Sequence, residues 1–440
     1  MLLEFKVENF KSFVEEANFS MIAAPKQKGL DYSLLIPPKM IKNVKGICSS
    51  VIYGPNAAGK TNIIGAMDVF QSIVTRGNIR NSSSDITPNR AASSLELIPN
   101  HELQEAKPVK FYIDFIENGT RIQYSLSLDL GTFLDDEYPR KILEESLFLN
   151  EKQVFLRNDS LQLNDSFKSP LYSWPSSSEI TNLTKVALKS LNPQELFLTN
   201  GFKLIFSQDI ANLAVNWFMQ KFMVIYRADS MQLLRRFSDP QKNTIYIEKT
   251  ANEAAKLFGI SSNAIGYIVD SEDSKAKLCS IFSGIKNHKS KAVLAEIFES
   301  FGTFRFVNIF PLVIQAMFTG GTLIVDEFDA AIHPMAVMNI INIFHNSDIN
   351  RKQAQLVFNT HNPIFLNSNL FRRDEIKFVE RDETSHESVL YSLSDFGTAG
   401  ENGVRKHEDY MKNYFVSRYG ALRDIDFSPI FEDIITESEE

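Results

Sequence analysis

The run Gly54-Pro55-Asn56-Ala57-Ala58-Gly59-Lys60-Thr61 constrains this chain more than any other feature. It matches G-x-x-x-x-G-K-[ST] in full. Before it stands Ser49-Ser50-Val51-Ile52-Tyr53, a short apolar run that stops at Gly54; after it comes NIIGAMDVFQSIV, with apolar residues at helical spacing. Strand, glycine loop and helix in that order belong to a parallel α/β sheet with the loop at the strand's C-terminal end. The glycines let the backbone wrap closely round phosphates with its N–H groups turned inward, and the helix presents its positive end to the same anion. All eight residues are therefore candidate ATP contacts. Lys60 is expected to reach the β- and γ-phosphates, and Thr61 to ligate Mg²⁺.

The last third supplies what such a loop needs opposite it. Leu323-Ile324-Val325-Asp326-Glu327 reads as a buried strand delivering two adjacent carboxylates at its C-terminal end, where α/β sheets bind ligands. Asp326 is expected to hold Mg²⁺, and Glu327 to orient or deprotonate the attacking water. Residues 334–345 read as a helix and Gln355-Leu356-Val357-Phe358-Asn359 as the next strand. That strand ends in Asn359-Thr360-His361, an arrangement able to bring an imidazole to the γ-phosphate. The candidate catalytic residues are thus Lys60, Glu327 and His361. Strand and helix alternating in this way imply a parallel sheet covered on both faces.

Elsewhere the patterns are plainer. LEFKVENF and ANFSMIAA suggest an antiparallel pair, and KFYIDFIENGTRIQYSLSLDL a hairpin turning at Asn118-Gly119. Residues 75–95 are polar and read as a loop, and residues 175–300 as mostly helical, with NLAVNWFMQKFMVI among the strongest stretches. Trp217 and Phe218 read as core; Arg235-Arg236 and Arg372-Arg373 read as solvated pairs. The final Glu437-Ser438-Glu439-Glu440 reads as a frayed tail. Three regions are expected: an N-terminal ATPase lobe at 1–165 with the phosphate loop and antiparallel strands, a helical insertion at 166–298, and a C-terminal lobe at 299–440.

The 440 residues carry a net charge of −8, which argues weakly against a protein that coats nucleic acid. Two cysteines, Cys48 and Cys279, lack a CxxC partner and suggest no metal site; their scarcity fits a reducing, cytoplasmic setting. The alternating N-terminus reads as a strand and not as a signal peptide. The apolar run at 306–318, broken by Asn308, Pro311 and Gln315, reads as a buried helix too short to span a bilayer, so no membrane association is expected.

Together these motifs resemble an ABC-type ATPase of the branch containing SMC, RecF and the overcoming-lysogenization-defect (OLD) ATPases. In that family a strand-end Asp-Glu is followed by a D-loop and His-Pro, and this chain has Asp326-Glu327-Phe328-Asp329-Ala330-Ala331-Ile332-His333-Pro334. The family's switch histidine matches His361. FKVENFKSF resembles the branch's first strand and turn, which draws Lys11 and Ser12 towards the nucleotide. Gln104 lies in the region of the family's Q-loop without local support. The signature-loop position holds Glu299-Ser300-Phe301-Gly302-Thr303, which departs from LSGGQ and resembles the Ser-x-Gly-Thr version of the OLD-like group. In ABC ATPases this loop contacts the nucleotide of the opposite subunit. The resemblance therefore implies a two-lobed fold and a head-to-tail homodimer, with Ser300, Gly302 and Thr303 closing the partner's site.

The remainder after His361 is too short for the Toprim nuclease domain of OLD nucleases and contains no DxD cluster. Its Tyr391-Ser392-Leu393, Tyr410-Met411-Lys412-Asn413-Tyr414 and Ser417-Arg418-Tyr419-Gly420-Ala421 resemble the C-terminal ends of bacterial ABC-like ATPases encoded beside a separate effector. Examples are RloA and AbiL-type abortive-infection ATPases, with PARIS AriA and Septu PtuA more distant. The implied function is an ATP-hydrolysing sensor or scaffold that controls a separate nuclease or toxin in anti-phage defence. The alternative is a RecF- or SMC-like repair or recombination ATPase, which leaves nucleic acid open as a partner.

Overall fold

The computed structural model describes the chain outside residues 26, 28, 38–40, 42–43, 81–94, 134, 136–137, 165–173, 228–244, 248, 258, 261, 270–275, 283–290, 399–402, 406–407, 424–425 and 440. The Ser82-Ser83-Ser84 and Pro88 loop and the Arg235-Arg236 pair lie outside the described residues.

Six strands form the central sheet, in the order Phe222–Ile225, Thr322–Val325, Gln355–Asn359, Ser49–Tyr53, Ile376–Arg381, Ser388–Ser392. The first five run parallel and the last antiparallel. Ser49–Tyr53, Thr322–Val325 and Gln355–Asn359 are buried along their whole length. That burial is why they read as continuous apolar runs and not as alternating ones. Their side chains still divide between two cores: Ile52, Ile324 and Val357 face one, and Val51, Tyr53, Leu323, Val325, Leu356 and Phe358 the other.

The first core lies between this sheet and a seven-stranded antiparallel sheet that includes Leu2–Glu8, Ala17–Ser20 and the hairpin Val109–Glu117/Thr120–Asp129. The hairpin closes at Glu117↔Thr120, leaving Asn118 and Gly119 as its two-residue turn. The helix Lys60–Arg76 runs through this core, and its Phe70 stacks on Phe111 with ring centroids 5.3 Å apart. Trp217 joins the same core, stacked on Phe115 at 3.9 Å. Helices Phe301–Thr319 and Pro334–His345 cover the other face, together with Tyr410, Tyr414 and Tyr419 of the C-terminal segment. The central strands are thus enclosed on both sides, and the fold is α/β with an added antiparallel β-subdomain.

Several expectations are corrected. The stretch at 175–300 is helical only in part: Ser177–Ser190, Gln208–Gln220 and Lys249–Leu257 are helices. Ile245–Tyr246, Ala264–Val269, Ala276–Phe282 and Lys291–Leu294 form a four-stranded antiparallel sheet. The FMVI that ends one of the stretches read as most strongly helical is itself the strand Phe222–Ile225, paired in parallel with Thr322–Val325. A four-residue apolar run has no period of its own that separates strand from buried helix. Arg372 and Arg373 are buried, not solvated: Arg372 pairs with Asp374 at 2.8 Å, and Arg373 Nη1 donates to the carbonyls of Gly397 and Val404. The C-terminal tail is helical from Ser428 to Glu439. The apolar helix at 301–319 has 19 residues, enough by length and composition to cross a membrane, yet Phe306, Ile309, Val313 and Ala316 are buried in the second core.

Candidate functional site

The phosphate loop leaves its strand at Gly54, whose φ of 155° and close approach to the Val379 carbonyl leave no room for a side chain; a Cβ there would lie 2.2 Å from that oxygen. Asn56 and Ala57 form the exposed crest, and Ala58 turns back into the protein. Gly59 then caps the helix Lys60–Arg76. Two serines brace the loop from outside: Ser388 Oγ donates to the Ala58 carbonyl at 2.6 Å, and Asn62 Nδ2 donates to Ser12 Oγ at 2.7 Å. Lys60 Nζ donates to the carbonyls of Gly54 and Pro55, each at 2.8 Å. Burial lowers its pKa to about 8, against the opposing pull of Asp326 and Glu327.

Strands Thr322–Val325 and Gln355–Asn359 pair in parallel with Val325 opposite Phe358, which brings Asn359 beside Asp326. Asp326 Oδ1 is the meeting point of the site. It accepts from Thr61 Oγ1 at 3.2 Å and from Asn359 Nδ2 at 2.5 Å. The same asparagine's oxygen accepts the Glu327 N–H. The Glu327 carbonyl accepts from Arg305 Nη2, on the helix Phe301–Thr319, at 2.5 Å. Glu327 has a φ of 50°, a left-handed conformation that costs a non-glycine residue about 1 kcal/mol or more. Asn359 on one side of the peptide and Arg305 on the other hold it there. The Glu327 side chain is exposed, pointing where a solvent-borne reactant can meet it.

Beyond the carboxylates, Thr360 Oγ1 donates to Asp329 Oδ2 at 2.7 Å, tying the end of one strand to the turn that follows the other. Burial raises the Asp329 pKa despite that bond. His361 stands at the exposed rim. Desolvation and the Lys60 ammonium lower its pKa, against the opposing pull of Asp326, so the ring is neutral at neutral pH. Ser300 caps the helix Phe301–Thr319, its Oγ accepting the Thr303 N–H at 3.2 Å. Gly302 packs on the turn after Glu327; a Cβ on it would lie 2.3 Å from the Ala331 carbonyl. Lys11 is bound to Glu96 at 2.8 Å and Gln104 is exposed.

The loop, Lys60, Thr61, Asp326, Glu327 and His361 therefore converge at one end of the central sheet. Ser300, Gly302 and Thr303 flank the segment that follows Glu327. Asn359, Arg305 and Ser388 carry much of this geometry, and sequence reasoning had given them no role. Asn359 alone had a signal, a polar residue ending an apolar strand next to a candidate histidine. The hydroxyl of Thr61 and the carboxylate of Asp326 are hard oxygen donors in contact, a pair suited to Mg²⁺. The loop's N–H groups and the helix N-terminus suit an anion beside it.

A family model described as "AAA domain, putative AbiEii toxin, Type IV TA system" matches residues 49–367 of the chain. No curated protein matches it. Among solved structures, the Smc head bound to the C-winged-helix domain of ScpA is 13% identical with a TM-score of 0.38, the alignment covering 89% of this chain and 97% of that one. The SMC head domain from Thermotoga maritima is 12% identical with a TM-score of 0.35, covering 89% and 98%.

Proposed function

The chain belongs to this AAA-domain family of nucleotide-binding ATPases, and from that premise we propose that it hydrolyses ATP at a homodimer interface and uses the cycle to control a separate effector in anti-phage defence. One observation carries the enzymatic part: Thr61 of the phosphate loop and Asp326 of the carboxylate strand, far apart in sequence, meet at 3.2 Å with Lys60 and Glu327 beside them. In this reading the loop amides and Lys60 hold the β- and γ-phosphates, while Thr61 and Asp326 hold Mg²⁺. When bound, Mg²⁺ neutralises charge on the phosphate oxygens. Glu327 orients a water for in-line attack on the γ-phosphorus. The new P–O bond forms as the bond to the bridging oxygen of ADP breaks, and the water's proton passes to the carboxylate. Neutral His361 is a hydrogen-bonding partner for the γ-phosphate.

The defence role rests on the family description, which names a toxin and a type IV toxin–antitoxin system, and on the resemblance of the segments after His361 to ATPases encoded beside a separate effector. Regions 1–165, 166–298 and 299–440 serve in this reading as N-terminal lobe, insertion and C-terminal lobe. The test has two parts. Purified protein is expected to hydrolyse ATP with Mg²⁺. Lys60→Ala should lose tight binding, and Glu327→Gln should bind while turning over about 10²–10⁴-fold more slowly. Phage protection in cells should disappear with Lys60→Ala and with deletion of the neighbouring gene. Normal turnover by Glu327→Gln would refute the catalytic assignment, and protection that survives both the Lys60→Ala substitution and the deletion of the neighbouring gene would refute the defence role.

A further inference from the structure

We infer that Cys48, His345 and Glu375 form a binding site for one divalent transition-metal ion of the zinc class, at the end of the central sheet opposite the phosphate loop. Cys48 immediately precedes the strand Ser49–Tyr53, Glu375 immediately precedes the neighbouring strand Ile376–Arg381, and His345 ends the helix Pro334–His345. Three segments remote in sequence thus each deliver one ligand group. One ligand atom from each lies within 4.8 Å of the other two. The exposures are 0% for Cys48, 3% for His345 and 0% for Glu375.

The hydrogen bonding of this cluster is one proton short of closing. Ser49 Oγ lies 2.7 Å from Glu375 Oε1 and 2.8 Å from His345 Nε2. Its single hydrogen can serve only one of them. If it goes to Glu375, Nε2 carries the ring hydrogen and Nδ1 is a bare lone pair. If it goes to Nε2, Glu375 Oε1 goes unserved and Nδ1–H points at nothing. His345 Nδ1 has no hydrogen-bond partner among the described residues. A cation held by Nε2, the Glu375 carboxylate and the Cys48 sulfur serves both acceptors that compete for the single Ser49 hydrogen, with the ring hydrogen then on Nδ1.

The donor set selects the ion. Sulfur, imidazole and carboxylate together suit zinc and its neighbours, whereas Mg²⁺ and Ca²⁺ favour all-oxygen shells. The ligands are also held from behind. Glu375 Oε2 accepts the Arg372 N–H at 2.7 Å, and Cys48 donates its N–H to Ser33 at 2.9 Å while its carbonyl accepts from Leu356 at 2.9 Å. Tyr32, its ring 5.6 Å from that of His345, is 49% exposed, so the cluster lies one side chain beneath the surface. Such an ion would clip two central strands to the helix that covers them.

Cobalt is the probe, because a thiolate ligand gives Co²⁺ a charge-transfer absorption that an all-oxygen site cannot. Full-length protein is stripped with a chelator and titrated with Co²⁺ in the absence of nucleotide. One equivalent should bind per chain with that absorption, and Zn²⁺ should displace it and raise the unfolding midpoint. Cys279 is the chain's other cysteine, so Cys279→Ser should keep the band and Cys48→Ser should lose it. His345→Asn and Glu375→Gln should each weaken uptake at least roughly tenfold. A band that survives Cys48→Ser overturns the site. Should the variants fail to fold, the unmutated protein still decides: no charge-transfer band, or no rise in unfolding midpoint with Zn²⁺, overturns it equally.

Discussion

Lys60 shows how far a residue's chemistry follows from its neighbours. The motif predicts a lysine facing phosphate; the structure adds that burial holds its pKa to about 8. Phosphate binding requires the ammonium form, so the complex retains a proton that the free site releases above that pH. By linkage, nucleotide affinity should fall as pH rises through about 8, and binding there should take up protons. Calorimetric titrations in two buffers of different ionisation enthalpy read this directly; an affinity indifferent to pH on the alkaline side would contradict it. Asn359 makes the complementary point. It donates to Asp326 in the interior and accepts from the part-buried Glu327 N–H. Asn359→Ala leaves the Glu327 N–H without its acceptor and Asp326 with Thr61 alone, and should cost about 1–3 kcal/mol, seen as a lower unfolding midpoint, together with weaker Mg²⁺ dependence of ATP turnover. The lysine was legible because its function fixes its spacing from the glycines. The asparagine's role was not, because it depends on strand register, which aligns Val325 with Phe358 and no sequence period reports.

At the scale of elements, local pattern predicted the structure where it had a period to work with. The hairpin turning at Asn118-Gly119 and the helix after Lys60 were readable from alternation, turn chemistry and helical spacing. Phe222–Ile225 was not, because only its partner Thr322–Val325 makes it a strand. Arg372 and Arg373 looked solvated because charge in sequence says nothing of a buried partner two residues away or carbonyls further on. The opening of the helix Phe301–Thr319 is the element on which a mechanical prediction rests. Gly302→Ala cannot be accommodated without moving Ala331 or the helix, since the new Cβ would meet the Ala331 carbonyl. That carbonyl belongs to the turn following Glu327. Turnover should fall about tenfold to a hundredfold, while nucleotide affinity, set by the phosphate loop, should stay nearly unchanged. Equal losses in both would mean that the helix opening supports the loop and not the carboxylate turn.

At the scale of the whole molecule, the proposed dimer uses the phosphate loop with its carboxylates and the Ser300–Gly302–Thr303 opening as two different surfaces of one chain. In a closed symmetric dimer of the proposed kind each site takes one surface from each protomer, so every site is built in trans. This separates it from a side-by-side dimer with self-sufficient sites. Lys60→Ala disables the nucleotide-holding surface, and Ser300→Arg, at an exposed position of the helix opening, would disable the closing surface. Each homodimer should be inactive. In a heterodimer of the two, one site inherits both lesions, while the other combines the intact loop and carboxylates of the Ser300→Arg chain with the intact opening of the Lys60→Ala chain. With random assortment half the dimers are mixed and half their sites are whole, so an equimolar mixture should recover about a quarter of the activity. A mixture as inactive as its parts, under conditions where exchange of labelled subunits is verified, would exclude sites shared in trans. Activity in the Ser300→Arg protein alone would show that the helix opening takes no part in closing the site.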